Sequence, residues 1–294
     1  MPALRRLATA ALVAGTLALG GCIEWLYFYN PSQLSYATPE ERGLRYEEVN
    51  FSSSDGTRLY GWFIPARGKR HGTIAYFHGN TKNISGHLRY VEWLPDRGYD
   101  VFLFDYRGYG RSAGSPDPRG VHDDCVAALA YLRSRADVDQ ERLAVFGQSL
   151  GGNYALSALA DVRRQGIRAA VIEGAFASHR EIAMDKIAGY PLPEGARSWL
   201  VDTLIDDRFD ALGALKRIDG IPLLLIHGTQ DNVVPYRHAQ LLYAAAHGRR
   251  QLWTVEGGRH LDTFVYRQDP WRRKLVEYLD AALPLNSPPT PSPG

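Results

Sequence analysis

Cysteine is nearly missing from this chain of 294 residues, which carries only Cys22 and Cys125. With so few, no disulfide framework and no cysteine-built metal centre can organise the fold. A chain of this length can bury enough apolar surface to do without either. An excess of charge is missing too. Lys and Arg number 34 against 32 for Asp and Glu, a formal net charge of +2, and no basic run reaches five residues. Nothing therefore marks nucleic acid as a partner. There is no H-E-x-x-H, so no metal and no cofactor is expected. Fixed-period repeats are absent. What remains, 45% hydrophobic and 22% charged residues, is the composition of an ordinary globular enzyme.

The N-terminus stands apart. Arg5 and Arg6 precede an apolar stretch at 7–19, broken only by Thr9, Gly15 and Thr16, and Gly20, Gly21 and Cys22 follow. A charged start, a short apolar stretch and small residues describe an export signal, and the apolar part is short for a membrane span. Leu19-Gly20-Gly21-Cys22 resembles the lipobox of bacterial lipoproteins. That resemblance implies cleavage after residue 21 and lipid on Cys22. Several acyl chains would anchor the protein stably, at about 0.8 kcal/mol per buried methylene. Ile23, rather than Asp, after the cysteine favours the outer membrane facing the periplasm in a Gram-negative cell. An uncleaved anchor helix, or a cleaved signal followed by an ordinary cysteine, are the alternatives. Cys125 reads as a small buried apolar residue.

Residues 22–44 read as a tether and lead-in, with Pro31 and Pro39 interrupting any regular element. Alternation then begins. Segments 46–52 and 57–64 are expected to pair as an antiparallel hairpin around Ser54-Asp55-Gly56. Short continuous apolar runs follow at 73–77, 101–104, 143–146, 169–172, 223–226 and 251–255, the kind buried on both faces of a parallel sheet. Segments at 86–97, 119–135, 150–164, 236–247 and 270–282 are long enough for crossover helices. The order predicts an α/β fold: a doubly wound, mostly parallel sheet of eight strands with helices on both faces. The interval 174–217 is too long for a simple crossover and reads as a short helical lid inserted after the sixth strand. The domain is expected to span 45–283, with a Pro-rich disordered tail at 284–294.

Gly147-Gln148-Ser149-Leu150-Gly151 fits G-x-S-x-G, with a buried-type strand before it and a helix-forming stretch after it. Ser149 would sit on a strained strand-to-helix turn, its hydroxyl leaving the sheet at the carboxyl edge above a helix N-terminus. A hydroxyl needs a base, and the base an orienting partner. Of nine histidines, His260 follows the last strand, in Glu256-Gly257-Gly258-Arg259-His260. His78 and His227 also follow strands, but each stands in a His-Gly pair that suits a structural turn. The acid is expected at Asp231, just after the preceding strand, with Glu173 as its rival. Glu173 otherwise supports the lid hinge or the substrate pocket. Asp105, in Asp105-Tyr106-Arg107-Gly108, reads as part of a salt-bridged structural loop. The oxyanion needs two N–H donors. The backbones of Leu150 and Asn80 are expected to supply them, with Thr81 next in line.

These motifs, together with Phe77-His78-Gly79-Asn80 and Ile226-His227-Gly228-Thr229-Gln230-Asp231, recur in one order at similar spacing. The chain resembles the α/β-hydrolase superfamily, in particular its serine-aminopeptidase-like branch and its membrane-attached lipid and thioester hydrolases. The likeness covers residues 45 to 283. It implies esterase, thioesterase or lipase-like chemistry without a cofactor. One departure is the loop Asn80-Thr81-Lys82-Asn83, where relatives often carry a second glycine.

The expected activity is hydrolysis of a carboxylic ester or thioester by a Ser-His-Asp triad and an acyl-enzyme. The substrate is a small acyl ester or a lipid-like molecule, and the enzyme a monomer held on the bacterial cell envelope through Cys22. Tyr190, Leu192, Trp199 and Leu200 of the lid would suit an apolar acyl pocket. Two other readings stay open: an aminopeptidase-like enzyme, recruiting Glu173 or the Asp206-Asp207 pair to hold the substrate amine, and a non-catalytic envelope scaffold.

Overall fold

A computed structural model describes residues 28–284. The export signal at 1–21, Cys22 and all but the first residue of the tail lie outside the described residues. Eight strands form one sheet: β1 Glu47–Ser52, β2 Arg58–Ile64, β3 Gly72–Phe77, β4 Tyr99–Asp105, β5 Leu143–Gln148, β6 Ile167–Glu173, β7 Leu223–Gly228 and β8 Arg250–Val255. Their order across the sheet is β1-β2-β4-β3-β5-β6-β7-β8. β2 runs antiparallel to both β1 and β4, and every other pairing is parallel. Each apolar run expected to be a strand is one. The mostly parallel, eight-stranded architecture is the α/β-hydrolase fold.

The central strands are buried on both faces because alternate residues feed two cores. Phe77, Val145 and Ile172 enter one, with Val121, Cys125 and Leu129 behind them. Tyr76, Phe146 and Val171 enter the other, against Leu275 and Leu279. Cys125 is wholly buried, and burial pushes its thiol pKa far up.

Most crossovers are helices whose starts are written locally. After α1, a single turn at Ile84–His87, come α2 Pro118–Ser134 and α3 Leu150–Asp161. Asp117 caps α2 by accepting the Gly120 N–H, and Pro118 occupies the first turn, where no N–H is needed. The insertion after β6 carries three helices, α4 His179–Ile187, α5 Glu194–Leu204 and α6 Ala211–Leu215. α7 Arg237–Ala245 and α8 Gln268–Ala282 complete the set.

Two expectations change. The helix expected over 86–97 shrinks to α1, followed by single 3-10 turns at Leu88–Tyr90 and Pro95–Arg97. Leu88, Tyr90, Val91, Trp93 and Leu94 are all buried. Residues so closely spaced cannot share one stripe of an α-helix, and Pro95 supplies no N–H to continue one. The lead-in is no free tether from residue 28 on. Phe28 and Tyr29 are buried, and Asn30–Pro31 pairs in parallel with Thr81–Lys82. Pro31 is tolerated because this two-stranded pairing is all edge.

Among the described residues, no helix is long and apolar enough to cross a membrane. No group of His, Cys, Asp or Glu among them is arranged to hold a metal ion.

Candidate active site

The candidate residues converge at the carboxyl edge of the parallel strands, where open α/β sheets bind ligands. Ser149 follows β5 directly and opens α3 with φ 53° and ψ −122°, a left-handed backbone that is strained for a residue with a side chain. Such a turn survives only if its surroundings hold it. The Ser149 N–H donates to the carbonyl of Glu173 at 2.9 Å, and its own carbonyl accepts from Gly152 and Asn153. Gly151 lets the helix press on β3: a Cβ there would stand 2.2 Å from the Phe77 carbonyl oxygen and 2.3 Å from that of His78. The Ser149 hydroxyl caps nothing, so it is free for other partners.

That partner is His260. Its Nε2 lies 3.1 Å from Ser149 Oγ, and its Nδ1 lies 2.7 Å from Asp231 Oδ2. A carboxylate can only accept, so Nδ1 carries the ring proton and Nε2 presents a lone pair to the hydroxyl. Asp231 is held on its other oxygen, where Oδ1 accepts the N–H groups of Val233 and Val234 at 2.9 and 2.8 Å. Burial would raise its pKa, but hydrogen bonds from His227, His260 and the Val234 N–H outweigh that and hold the carboxyl well below its usual range. Asp231 is therefore a carboxylate at any working pH.

His227 was expected to be a turn residue, and its Nε2 does donate to the Val234 carbonyl at 2.8 Å. The same nitrogen is 3.4 Å from Asp231 Oδ2. Its contribution to the acid was not read from the sequence, though its spacing four residues before Asp231 was visible.

Leu150, first residue of α3, has an N–H that helix geometry leaves without an intrahelical acceptor. The loop of Asn80 lies opposite: a Cβ on Gly79 would be 3.6 Å from Ser149 Cβ. Gly79, the residue before Asn80, thus lies against the serine.

Glu173 is buried directly beneath it. Gln148 Nε2 donates to Glu173 Oε2 at 2.5 Å, and Gln148 Oε1 accepts from Tyr76 OH. Burial raises the Glu173 pKa, against hydrogen bonds from Thr263 and Gln148 and the nearby His260. Glu173 thus braces the serine turn from below, while Asp231 holds the histidine. Tyr190 and Trp199 are 64% and 65% exposed, and neither hydrogen-bonds or stacks with Ser149, His260 or Asp231 among the described residues. Leu200, Val201, Ala183 and Ile187 instead line an apolar cavity of about 190 Å³ between α4 and α5. Of the Asp206-Asp207 pair, Asp206 ties to Arg208 and Asp207 accepts the Arg180 N–H at 3.2 Å.

The loop after β4 is salt-bridged through Arg107 rather than Asp105. Arg107 meets buried Asp124 at 2.8 Å and Asp55 at 2.9 Å. Asp105 accepts the Ile84 and Arg111 N–H groups at 2.8 and 3.4 Å, and burial, the dominant effect, pushes its pKa up to about 7.

Comparison with known proteins agrees with this architecture. The family model described as the prolyl oligopeptidase family matches residues 87–260. The protein YfhR of Escherichia coli K12 is 38% identical over 262 residues, covering 87% of either chain. The α/β-hydrolase domain-containing protein WAV2 of Arabidopsis thaliana is 33% identical over 261 residues, covering 84% of this chain and 82% of its own. Among solved structures, the esterase Pf2001 of Pyrococcus furiosus superposes with a TM-score of 0.71 at 24% identity, over 87% of this chain and 98% of its own. By sequence and by fold, this chain belongs to the prolyl oligopeptidase family of the α/β-hydrolase superfamily.

Proposed function

We propose that the protein is a serine hydrolase that cleaves carboxylic ester or thioester bonds through an acyl-enzyme on Ser149. The observation that carries this reading is the continuous hydrogen-bonded line from Ser149 Oγ through His260 to Asp231 Oδ2, with steps of 3.1 and 2.7 Å, on a strained turn. In the first half-reaction Ser149 Oγ bonds to the acyl carbon and its proton passes to His260 Nε2. The oxyanion is held by the N–H groups of Leu150 and Asn80. The bond to the alkoxide or thiolate then breaks, and the leaving group takes the proton from His260. In the second half, water attacks the acyl-serine by the same route and releases the acid. Asp231 keeps the ring in the tautomer that can accept from serine and stabilises the imidazolium while it lasts.

A second reading is favoured by the family match itself, which points toward peptide bonds. Of the groups nominated to hold a substrate amine, Glu173 accepts from Gln148 on Oε2 while its Oε1 is buried without a hydrogen-bond partner, and Asp206 and Asp207 are engaged near the lid base. The ester reading needs no such anchor. For location, lipid on Cys22 would hold the enzyme on the cell envelope. The six steps from there to Phe28 span at most roughly 20 Å, which would keep the catalytic edge near the membrane and suits lipid-like esters.

The test uses the chain beginning at Ile23 beside its Ser149→Ala variant. Both meet a fluorophosphonate probe, p-nitrophenyl esters of increasing chain length and aminoacyl p-nitroanilides. Labelling and ester turnover that vanish in the variant are expected. Preferred turnover of the anilides would move the peptidase reading forward. A folded wild type that is neither labelled nor active would leave the scaffold reading.

A further inference from the structure

The loop from His78 to Lys82 is tied down along its whole length. Each carbonyl from His78 to Lys82 accepts a hydrogen bond. The donors are Tyr106 OH to His78 at 2.9 Å, His78 Nδ1 to Gly79 at 2.7 Å and His87 Nε2 to Thr81 at 3.0 Å. The Asn80 carbonyl accepts twice, from the Asn30 N–H at 2.9 Å and from Tyr109 OH at 2.8 Å, and the Lys82 carbonyl accepts the Ser32 N–H at 2.9 Å. In a trans peptide the N–H of the next residue points opposite to the carbonyl. Fixing the Gly79 carbonyl therefore aims the Asn80 N–H, and fixing the Asn80 carbonyl aims the Thr81 N–H. The two peptide planes that meet at Asn80 are held separately, one by His78 and the other by the segment before the domain.

That segment is anchored along its length. Its Ser32 carbonyl accepts from Gly110 N–H at 3.1 Å and from Asn83 Nδ2 at 2.7 Å, and Asn83 Nδ2 also reaches the Leu34 carbonyl at 2.8 Å. Further along, the Tyr36 N–H donates to Ser85 Oγ at 3.0 Å. At its start, Tyr29 OH meets Tyr154 OH at 2.5 Å, and the Phe28 ring packs edge-on to His179 at 4.8 Å. Tyr154 belongs to α3, the helix whose first N–H is that of Leu150.

We propose that residues 28–36 form a strap belonging to the active site: by holding the Asn80 and Lys82 carbonyls it fixes the plane that follows Asn80 and ties the loop to α3, so that the Asn80 N–H, whose own plane His78 holds, keeps its place beside the Leu150 N–H. Asn30 and Asn83 are positioning residues in this account: neither touches substrate. The inference rests on the acyl-enzyme reading above, and it assigns the catalytic edge a requirement that lies outside the sequence motifs. A strained Lys82, with φ 65°, sits in the same loop and is held by Ser32, so release of the strap would let the loop relax.

Two variants in the chain beginning at Ile23 test it. Asn30→Pro removes the N–H that the Asn80 carbonyl accepts. Asn83→Asp is isosteric: it keeps the oxygen that caps α1 through the Ser85 N–H, and turns Nδ2, which donates to both strap carbonyls, into one oxygen facing the two of them. The readouts are kcat and KM on a p-nitrophenyl ester, the inhibition constant of a trifluoromethyl ketone that binds as an oxyanion, the pH profile and Tm. Removing a whole oxyanion donor costs on the order of a hundredfold in rate, so a misaimed one is expected to lower kcat by about tenfold. KM and the pH midpoint should hold, and the ketone should weaken by the same factor. Activity lost only in proportion to unfolded protein, or kcat and ketone affinity within twofold of wild type, would overturn the strap. Should Asn30→Pro not fold, Asn83→Asp decides by the same criteria. A wild type that takes no fluorophosphonate label defeats the acyl-enzyme reading instead, whereas a labelled wild type with unaffected variants defeats the strap alone.

Discussion

Replacing Asp105 by Asn should stabilise the protein, and increasingly so as the pH rises. Asp105 is 1% exposed, and no Lys or Arg side chain pairs with it among the described residues; Arg111 turns its guanidinium to Glu48 and Tyr60. Two backbone N–H groups are its compensation, and burial outweighs them. Raising a carboxyl from 3.8 to about 7 corresponds to about 4 kcal/mol at full effect. Below about pH 4 the group is protonated whether the chain is folded or not, and the low pH stability is intact. From there to about pH 7 only the unfolded chain ionises, so unfolding releases a proton and stability falls as pH rises. Above about pH 7 the folded side chain ionises as well and the loss is complete. An amide keeps an oxygen for the Ile84 N–H. Its NH2 takes the Oδ2 position and gives up only the long 3.4 Å contact from the Arg111 N–H. Urea unfolding of both proteins at pH 5, 6, 7 and 8 reads the effect, since the buried histidines titrate alike in both and cancel. The gap in favour of D105N should open by about 2.5 kcal/mol between pH 5 and 8. A gap that stays constant, or closes, would refute the reasoning.

Asp231→Asn should lower kcat by roughly 10⁴-fold with little change in Tm, because an amide N–H toward His260 Nδ1 selects the tautomer that cannot accept from Ser149; steady-state kinetics beside a melting curve decides. Gly174→Ala strikes the same histidine by another route. At φ +60° the new Cβ would lie 3.0 Å from Leu261 Cδ2 and 3.3 Å from His260 Cε1. The left-handed backbone alone costs about 1–2 kcal/mol, and the pushed ring should cut kcat by about tenfold or more. Wild-type kinetics in that variant would show that the ring has room to spare. Ser149→Ala, besides losing the fluorophosphonate label, should melt no lower than wild type, because the serine's strained turn is kept and only the hydroxyl goes.

The strand plan was legible because buried parallel strands announce themselves as short apolar runs, and the strained turn at Ser149 because its glycines bracket a serine between a strand and a helix. Chain order placed Asp231 and His260 after successive strands, and the fold carries successive strand ends to one edge. The region 86–97 misled, since its apolar residues serve a packed irregular turn and not a helical stripe. An aromatic residue on an insertion looks the same in sequence whether it faces a pocket or the solvent, and Tyr190 and Trp199 are exposed.

The amino-acid sequence by itself determined the alternation of strand and helix, the order of the parallel sheet's segments and the residue types at each strand end, all of which are local patterns. Only the tertiary structure decided that His227 Nε2 stands 3.4 Å from Asp231, that Glu173 braces the serine turn through Gln148, and that Asn30 closes on Asn80 across fifty residues. Backbone carbonyls and N–H groups are the same at every position. Which of them meet is set by packing, and no residue pattern along the chain records it.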